Sequence, residues 1–121
     1  MHGYKVCRPV HGSAIEFRPA ASNALPSVRY ALGKTTHRPT NAGPFAVFAH
    51  RADAVAFRDT LPDDPVILEV NYNPSKLQRL WCSHVGPIFT DYHELFLIDC
   101  PDGTCLATQV TPLRLSPDYA P

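Results

Sequence analysis

Residues 43–72 carry the pattern that most constrains the fold: an apolar strand, an amphipathic helix and a second apolar strand in one run. Residues 45–49 have the length and composition of a strand. Residues 51–61 place Ala54, Phe57 and Leu61 at the i, i+3, i+7 spacing of one helix face. Residues 66–70 are almost all apolar and β-branched, which is typical of a central strand buried on both faces. The run therefore predicts a sheet with a packed helix.

Shorter elements are predicted on both sides of this run. Strand character is found at residues 4–8, 14–18 and 28–32. Asn73-Pro74 is a helix-start pair, so residues 74–81 predict a short helix. A hairpin is expected from residues 95–100 and 105–110, with a type I turn at Pro101-Asp102 and a left-handed Gly103, while residues 82–94 are expected to be irregular.

The fold class that follows is a single α+β domain over residues 1–121. We predict a mixed or mainly antiparallel sheet of about five or six strands, one main helix (51–61), one short helix (74–81) and a tail that frays from about residue 116. The predicted core consists of Val6, Ile15, Val47, Phe48, Ala54, Phe57, Ile67, Val70, Leu77, Leu80, Trp81, Phe96 and Ile98.

Composition fits an ordinary globular domain and argues against disorder, because 45% of the residues are hydrophobic and 18% are charged. The 13 prolines fall at most of the predicted junctions and indicate short elements with stiff connections. No apolar run is long enough to span a bilayer, and the first residues lack the apolar stretch of a signal peptide. We therefore expect a cytoplasmic protein with no membrane partner.

Candidate catalytic and metal-binding residues are few. Cys82-Ser83-His84 and Cys100-x4-Cys105 lack the paired, closely spaced ligands of structural zinc sites, so no metal and no cofactor are predicted. A Cys100–Cys105 disulfide and unpaired thiols stay open as alternatives. The titratable run Asp91-Tyr92-His93-Glu94 favours a solvated loop. Neither a Gly-x-Ser-x-Gly elbow nor a glycine-rich phosphate loop is present, so the catalytic residues are unknown.

Charge is unevenly distributed along a chain whose net charge is zero. Residues 1–58 hold eight Lys or Arg and two acids, and residues 59–121 hold three Lys or Arg and nine acids. Such asymmetry indicates a basic face for an anionic partner or self-association between opposite faces, unless folding interleaves the two halves. The candidate partner-binding residues are Arg29, Tyr30, Lys34, His37, Arg38 and Arg51.

A longer pattern runs through the first two thirds of the chain and consists of Arg29-Tyr30-x-x-Gly33-Lys34, Gly43-Pro44-Phe45-x-Val47-Phe48, Ala52-x-Ala54-x-x-Phe57 and Val66-Ile67-Leu68-Glu69-Val70. It resembles a loose group of small uncharacterised phage, bacterial and fungal proteins over about residues 3–81. That resemblance implies a shared scaffold and no activity.

A more distant likeness is to ADP-ribosyltransferase-like folds, in which a similar strand–helix–strand run follows a basic strand region. It implies NAD chemistry by a histidine, an aromatic pair and an acidic residue. The early histidine here is His2, in His2-Gly3, and the other catalytic residues have no match in the pattern.

These observations favour a non-enzymatic interaction protein, such as an accessory protein of a phage or mobile element, that binds a protein partner or itself. Two alternatives stay open. One is a nucleotide-dependent, NAD-using transferase-like enzyme, and the other is a nucleic-acid binder that uses the basic half of the chain.

Overall fold

The chain folds around a small antiparallel β-barrel with one helix packed on its outer surface. A computed structural model describes residues 1–11, 13–20, 29–37, 44–77, 79–85 and 90–116. Its elements are β1 (His2–Pro9), β2 (Glu16–Pro19), β3 (Tyr30–Ala31), β4 (Thr36–His37), β5 (Phe45–Phe48), α1 (Arg51–Arg58), β6 (Val66–Pro74), β7 (Arg79–Val85), β8 (Thr90–Phe96) and β9 (Thr104–Leu115), with a 3₁₀ turn at Leu97–Asp99.

Four strands close the barrel in the order β1, β5, β9, β6 and back to β1. β6 pairs along most of its length with both β1 and β9. β5 pairs with β9 from Phe45 to Phe48, but among the described residues it meets β1 only at the Tyr4–Phe48 pair. All these pairs are antiparallel, which confirms the prediction of a mainly antiparallel sheet. The β1–β5 side is the one with the fewest backbone pairs.

Strand alternation divides the core into an interior part and a part beneath the helix. The interior cluster consists of Cys7, Phe17, Tyr30, Phe45, Val47, Leu68, Val70, Tyr72, Ala107 and Val110. The cluster beneath the helix consists of Val6, Ala20, Phe48, Ala54 and Ile67. Because neighbouring residues of β6 enter both clusters, the predicted burial of this strand on both faces is confirmed.

Gly3 allows β1 to pass close to the rest of the barrel. A Cβ atom at this position would lie 2.7 Å from the carbonyl oxygen of Phe48 and 2.7 Å from Cε1 of Tyr72. Real Cβ atoms do not approach other atoms so closely, so a larger residue would force the strand or the Tyr72 ring to move.

The main helix is confirmed at residues 51–58, and residues 59–61 follow it as a turn. Asp53 in the first turn and Arg58 in the last turn both suit the helix dipole. Ala54 is fully buried, and the rings of Phe57 and Phe48 pack with their centroids 5.6 Å apart. These contacts hold α1 against β1, β5 and β6.

The remaining strands extend the sheet and form a separate ribbon. β2 pairs with β1, β3 pairs with β2, and β4 pairs with β9, so the two ends of the main sheet are the two-residue strands β3 and β4. β7 and β8 form a two-stranded ribbon of their own, in register from Arg79–Phe96 to Val85–Thr90.

The predicted short helix at residues 74–81 is wrong. Pro74 ends β6, and Arg79–Val85 is strand β7. The spacing of Leu77, Leu80 and Trp81 fits one face of a helix. In so short a segment, however, the spacing of apolar residues does not distinguish a helix from a strand. The prediction of an irregular segment at residues 82–94 is also wrong, because most of it lies in the ribbon.

The predicted hairpin of residues 95–100 with 105–110 is wrong as a pairing. β8 pairs with β7, the 3₁₀ turn follows β8, and β9 pairs with β4, β5 and β6. The local turn chemistry is nevertheless as expected, since Thr104 N donates to Pro101 O at 3.1 Å and Gly103 is left-handed with φ of 83°.

The predicted core is confirmed where it draws on β1, β5, α1 and β6, in which Val6, Val47, Phe48, Ala54, Ile67 and Val70 are buried and Phe57 is partly buried. It is wrong at Ile15, Leu77, Phe96 and Ile98, which are exposed. The predicted positions Leu80 and Trp81 lie outside the side chains that the structure describes, as does the predicted tail beyond Ser116.

Candidate functional site

Three neighbouring strands place His2, Tyr4, Glu69 and Arg114 on one outer face of the barrel, which we call the outer cluster. Glu69 on β6 lies opposite Tyr4 on β1 and opposite Arg114 on β9. Arg114 Nε donates to Glu69 Oε2 at 2.5 Å, and His2 Nε2 lies 3.4 Å from Glu69 Oε1. The His2 and Tyr4 rings meet edge to face with centroids 5.3 Å apart.

The Glu69 carboxylate is the centre of this cluster. Its side chain is 11% exposed, whereas those of His2 and Arg114 are 47% and 69% exposed. The hydrogen bond from Arg114 is the main cause that lowers the pKa of Glu69; burial opposes it, and the charges of Arg114 and His2 add to it. Glu69 therefore holds an imidazole and a guanidinium in place while both remain open to solvent.

A second guanidinium lies near the end of the same strand. Arg51 Nε donates to Ser116 Oγ at 3.0 Å, and Ser116 N donates to Ile67 O at 2.8 Å. Ser116 follows Arg114 by two residues, so the first residue of α1 is tied to the end of β9 beside the outer cluster.

The barrel interior contains a different group of titratable residues: Lys5, Cys7 and Tyr30. Lys5 Nζ donates to Ala46 O at 2.6 Å and lies 5.6 Å from the centroid of the Tyr30 ring. Burial lowers the pKa of Lys5, raises the pKa of Cys7 to about 12, and raises that of Tyr30 well above its ordinary value. Burial therefore works against the charged form of each group, so these residues are suited to packing more than to proton exchange with solvent.

Exposed apolar side chains lie at the base of the β7–β8 ribbon. Ile98 is 90% exposed, Phe96 is 50% exposed and Leu77 is 41% exposed. The ribbon register pairs Arg79 with Phe96, so Leu77 and Ile98 both flank the same end of the ribbon. We call these three residues the apolar end.

The structure describes five of the six predicted partner-binding residues and does not place all five at the surface. Tyr30 is 1% exposed and belongs to the core, so a partner cannot reach it without unfolding. Arg29, Lys34 and His37 are exposed around β3 and β4, whereas Arg51 is half-buried beside Ser116. Arg38 lies outside the described residues.

Folding interleaves the basic and acidic halves of the chain. β6 from the acidic half pairs with β1 from the basic half, and β9 lies between β5 and β4. Arg8 illustrates the mixing, because its guanidinium donates to Pro62 O at 2.7 Å and to Asp63 O at 3.4 Å in the acidic turn after α1. The sequence asymmetry does not translate into two separate halves of the fold.

Cys7 and Cys105 are free thiols, so the alternative of a Cys100–Cys105 disulfide does not apply. Among the side chains that the structure describes, no group of three or more His, Cys, Asp or Glu is placed to hold a metal ion. The helices found in the described ranges are not of the length and apolar character that crossing a membrane requires.

Sequence reasoning missed the outer cluster. Glu69 appears in the sequence as the one acidic residue in a strand of apolar residues, and that interruption of a doubly buried strand is the signal that could have identified it. Its partners lie far away in the chain, so no local spacing connects them.

No known family model, no curated protein and no solved structure matches this chain.

Proposed function

We propose that this chain is a small non-enzymatic interaction protein that associates with a second copy of itself through the apolar end. The resemblance to small phage and bacterial proteins fits an accessory role of this kind. The observation that carries the proposal is the exposure of Ile98, Phe96 and Leu77 on one end of the ribbon. Large apolar side chains grouped on a surface are typical of interaction sites.

The architecture of the ribbon supports the same proposal. A two-stranded ribbon is at best marginally stable by itself in water. The main sheet ends in two-residue strands, which offer little edge for pairing, whereas β7 and β8 are seven residues long and pair only with each other among the described residues. A second copy that covers the ribbon and its apolar end would bury the exposed side chains and satisfy the free strand edges.

Sedimentation velocity over a concentration series tests this proposal. We expect the wild-type chain to shift from monomer to dimer with rising concentration, and Ile98→Asp to remain monomeric. Ile15→Asp is the matched control. Ile15 is also an exposed apolar residue, 62% exposed, but it lies next to β2 of the main sheet and not at the ribbon. A wild-type chain that is monomeric throughout, or an equal effect of both variants, contradicts self-association.

A nucleotide-dependent transferase is the second candidate, and the outer cluster favours it. His2, Tyr4 and Glu69 supply the histidine, one aromatic residue and the acidic residue that the likeness to ADP-ribosyltransferase-like folds implies. Arg114 adds a guanidinium suited to phosphate. A thermal-shift titration with NAD tests this: stabilisation that disappears in Glu69→Gln supports it, and no shift at saturating NAD contradicts it.

Nucleic-acid binding is the third candidate and has the least support, because folding interleaves the basic and acidic halves of the chain. Its test is a salt-dependent gel-shift or anisotropy titration with single- and double-stranded DNA and RNA. Binding that weakens in a Lys34→Glu, Arg38→Glu, Arg51→Glu triple variant supports it, and binding that is absent or unchanged contradicts it.

A further inference from the structure

The guanidinium of Arg114 is anchored through one nitrogen and keeps its other donors available. Its Nε donates to Glu69 Oε2 at 2.5 Å, and the Arg114 side chain is 69% exposed. Within the part of the chain that the structure describes, neither terminal nitrogen of this guanidinium has a hydrogen-bond acceptor. Because the bond through Nε already restricts the group, little further ordering is needed when the two terminal nitrogens bind a ligand.

The imidazole of His2 is held on the other oxygen of the same carboxylate. Its Nε2 lies 3.4 Å from Glu69 Oε1, and its ring packs edge to face on Tyr4 with centroids 5.3 Å apart. Nδ1, the second ring nitrogen, has no partner among the described residues, and 47% of the side chain is exposed. A guanidinium and an imidazole with unused polar atoms therefore lie on either side of one carboxylate.

Glu69 positions these two groups and is itself largely shielded from solvent. Its side chain is 11% exposed, and its two oxygens are divided between Arg114 and His2. The hydrogen bond from Arg114 lowers the pKa of this carboxyl group, so the ion pair is maintained at neutral pH. Because the two partners are far more exposed than the carboxylate, an anion that arrives from solvent meets their donors first.

We propose that the outer cluster binds a phosphate group, either as inorganic phosphate or as a phosphate monoester, with Arg114 as a bidentate donor and protonated His2 as a second donor. Guanidinium forks match phosphate oxygens, and protonated imidazole donates from both ring nitrogens. A phosphate monoester has three terminal oxygens, so one group accepts from the fork and from the imidazole together. A carboxylate has two oxygens, and the fork occupies both.

This site is separate from the self-association surface proposed above. The outer cluster lies on β1, β6 and β9 of the barrel, whereas the apolar end lies at the ribbon. It also does not depend on NAD chemistry. A chain that binds phosphate but not NAD would exclude the transferase and leave the phosphate site in place.

Two-dimensional amide NMR of the full chain, titrated with sodium phosphate at constant ionic strength, tests the proposal. We expect the signals of residues 2–4, 69 and 114 to shift and to saturate, and sodium chloride at the same ionic strength to leave them in place. A second titration with phenyl phosphate distinguishes the two sources of phosphate. Tighter binding of the ester assigns the site to phosphate monoesters, and equal or weaker binding assigns it to the free anion.

Arg114→Lys and His2→Gln are the diagnostic variants. Arg114→Lys keeps the positive charge and loses the fork, so its affinity for phosphate should fall about tenfold, which corresponds to about 1.4 kcal/mol. His2→Gln should weaken binding to a smaller extent. Arg18→Gln is the control, because it removes a full charge at an exposed arginine of β2 and should leave the affinity unchanged.

Three outcomes overturn the proposal: wild-type signals that phosphate does not move, an Arg114→Lys variant that binds as the wild-type chain does, or an equal loss of affinity in Arg18→Gln and Arg114→Lys. The last two would show that charge alone attracts the anion. The dispersion of the amide signals of each variant reports whether the barrel remains folded.

Discussion

Lys5 Nζ donates a 2.6 Å hydrogen bond to the carbonyl oxygen of Ala46, and so ties β1 to β5 on the side of the barrel with the fewest backbone pairs. The Tyr30 ring lies beside the same amine, with its centroid 5.6 Å from Nζ. A lysine therefore serves as a structural crosslink inside an otherwise apolar barrel, at the cost of burying an amine.

Lys5→Met should change how stability depends on pH. Burial lowers the pKa of Lys5 from the ordinary 10.5, so between the lowered value and 10.5 the folded state binds fewer protons than the unfolded state. The contribution of Lys5 to the free energy of unfolding therefore rises with pH across that window, by about 1.4 kcal/mol per pKa unit. We expect the stability of Lys5→Met minus that of the wild-type chain to fall as pH rises towards 10.5.

Urea denaturation at several pH values measures this difference. Lys34→Met is the matched control, because Lys34 is exposed. The free energy of unfolding of Lys34→Met minus that of the wild-type chain should be nearly constant across the same pH values. If the free energy of unfolding changed with pH in the same way in both variants, the role assigned to Lys5 would be contradicted.

Cys7→Ala should reduce the loss of stability at alkaline pH. Burial raises the pKa of the Cys7 thiol from 9.0 to about 12, so the folded state keeps a proton that the unfolded state has lost. Stability is therefore lost as pH rises through this window, by up to about 4 kcal/mol over its full width. Thermal unfolding at pH values from 8 upwards should show a flatter alkaline limb for Cys7→Ala than for the wild-type chain, and identical alkaline limbs would contradict this prediction.

Gly3→Ala should destabilise the barrel by about 1–3 kcal/mol, the usual cost of overpacking a close contact. The added Cβ would lie 2.7 Å from Phe48 O, which is backbone and cannot easily move. Gly33→Asn is the control, because a Cβ at Gly33 meets nothing within 4 Å and Asn tolerates its φ of 79°. Equal urea midpoints for Gly3→Ala and the wild-type chain would show that β1 can move away from Phe48 without a loss of stability.

Glu69→Gln should destabilise the chain at neutral pH and have little effect in acid. The pKa of Glu69 is lowered, chiefly by Arg114, so its stabilising contribution is present above the unfolded value near 4.5 and is lost as pH falls through the lowered value. Denaturation of the wild-type chain and the variant should therefore converge at low pH. Glu16→Gln, at an exposed carboxylate on β2, should differ little from the wild-type chain throughout.

Part of this fold could be predicted because its signals are local. The strand composition of β1, the apolar runs of β5 and β6 and the helical spacing of Ala54 and Phe57 depend on neighbours a few positions away. The structure confirms these elements. The Pro101-Asp102-Gly103 turn could likewise be predicted from the sequence, because the left-handed conformation of Gly103 depends on the turn alone.

The outer cluster and the ribbon could not be predicted in the same way, because they depend on which strands become neighbours. His2 meets Glu69 only because β1 pairs with β6, and Arg114 reaches the same carboxylate only because β9 pairs with the other edge of β6. Phe96 and Ile98 are apolar residues of a predicted hairpin strand, so the sequence predicts that they belong to the core. The structure instead places Phe96 and Ile98 on the surface, since no element of the described fold covers that end of the ribbon.

The sequence by itself determined the strand–helix–strand run and the burial of β6, because apolar runs and the helical period depend on residues only a few positions apart. Only the tertiary structure decided that four strands close into a barrel, that Lys5 ties β1 to β5, and that the Glu69 carboxylate gathers an imidazole and a guanidinium. Strand pairing is a choice among many long-range partners, and it is fixed by how all the apolar faces can be buried at once.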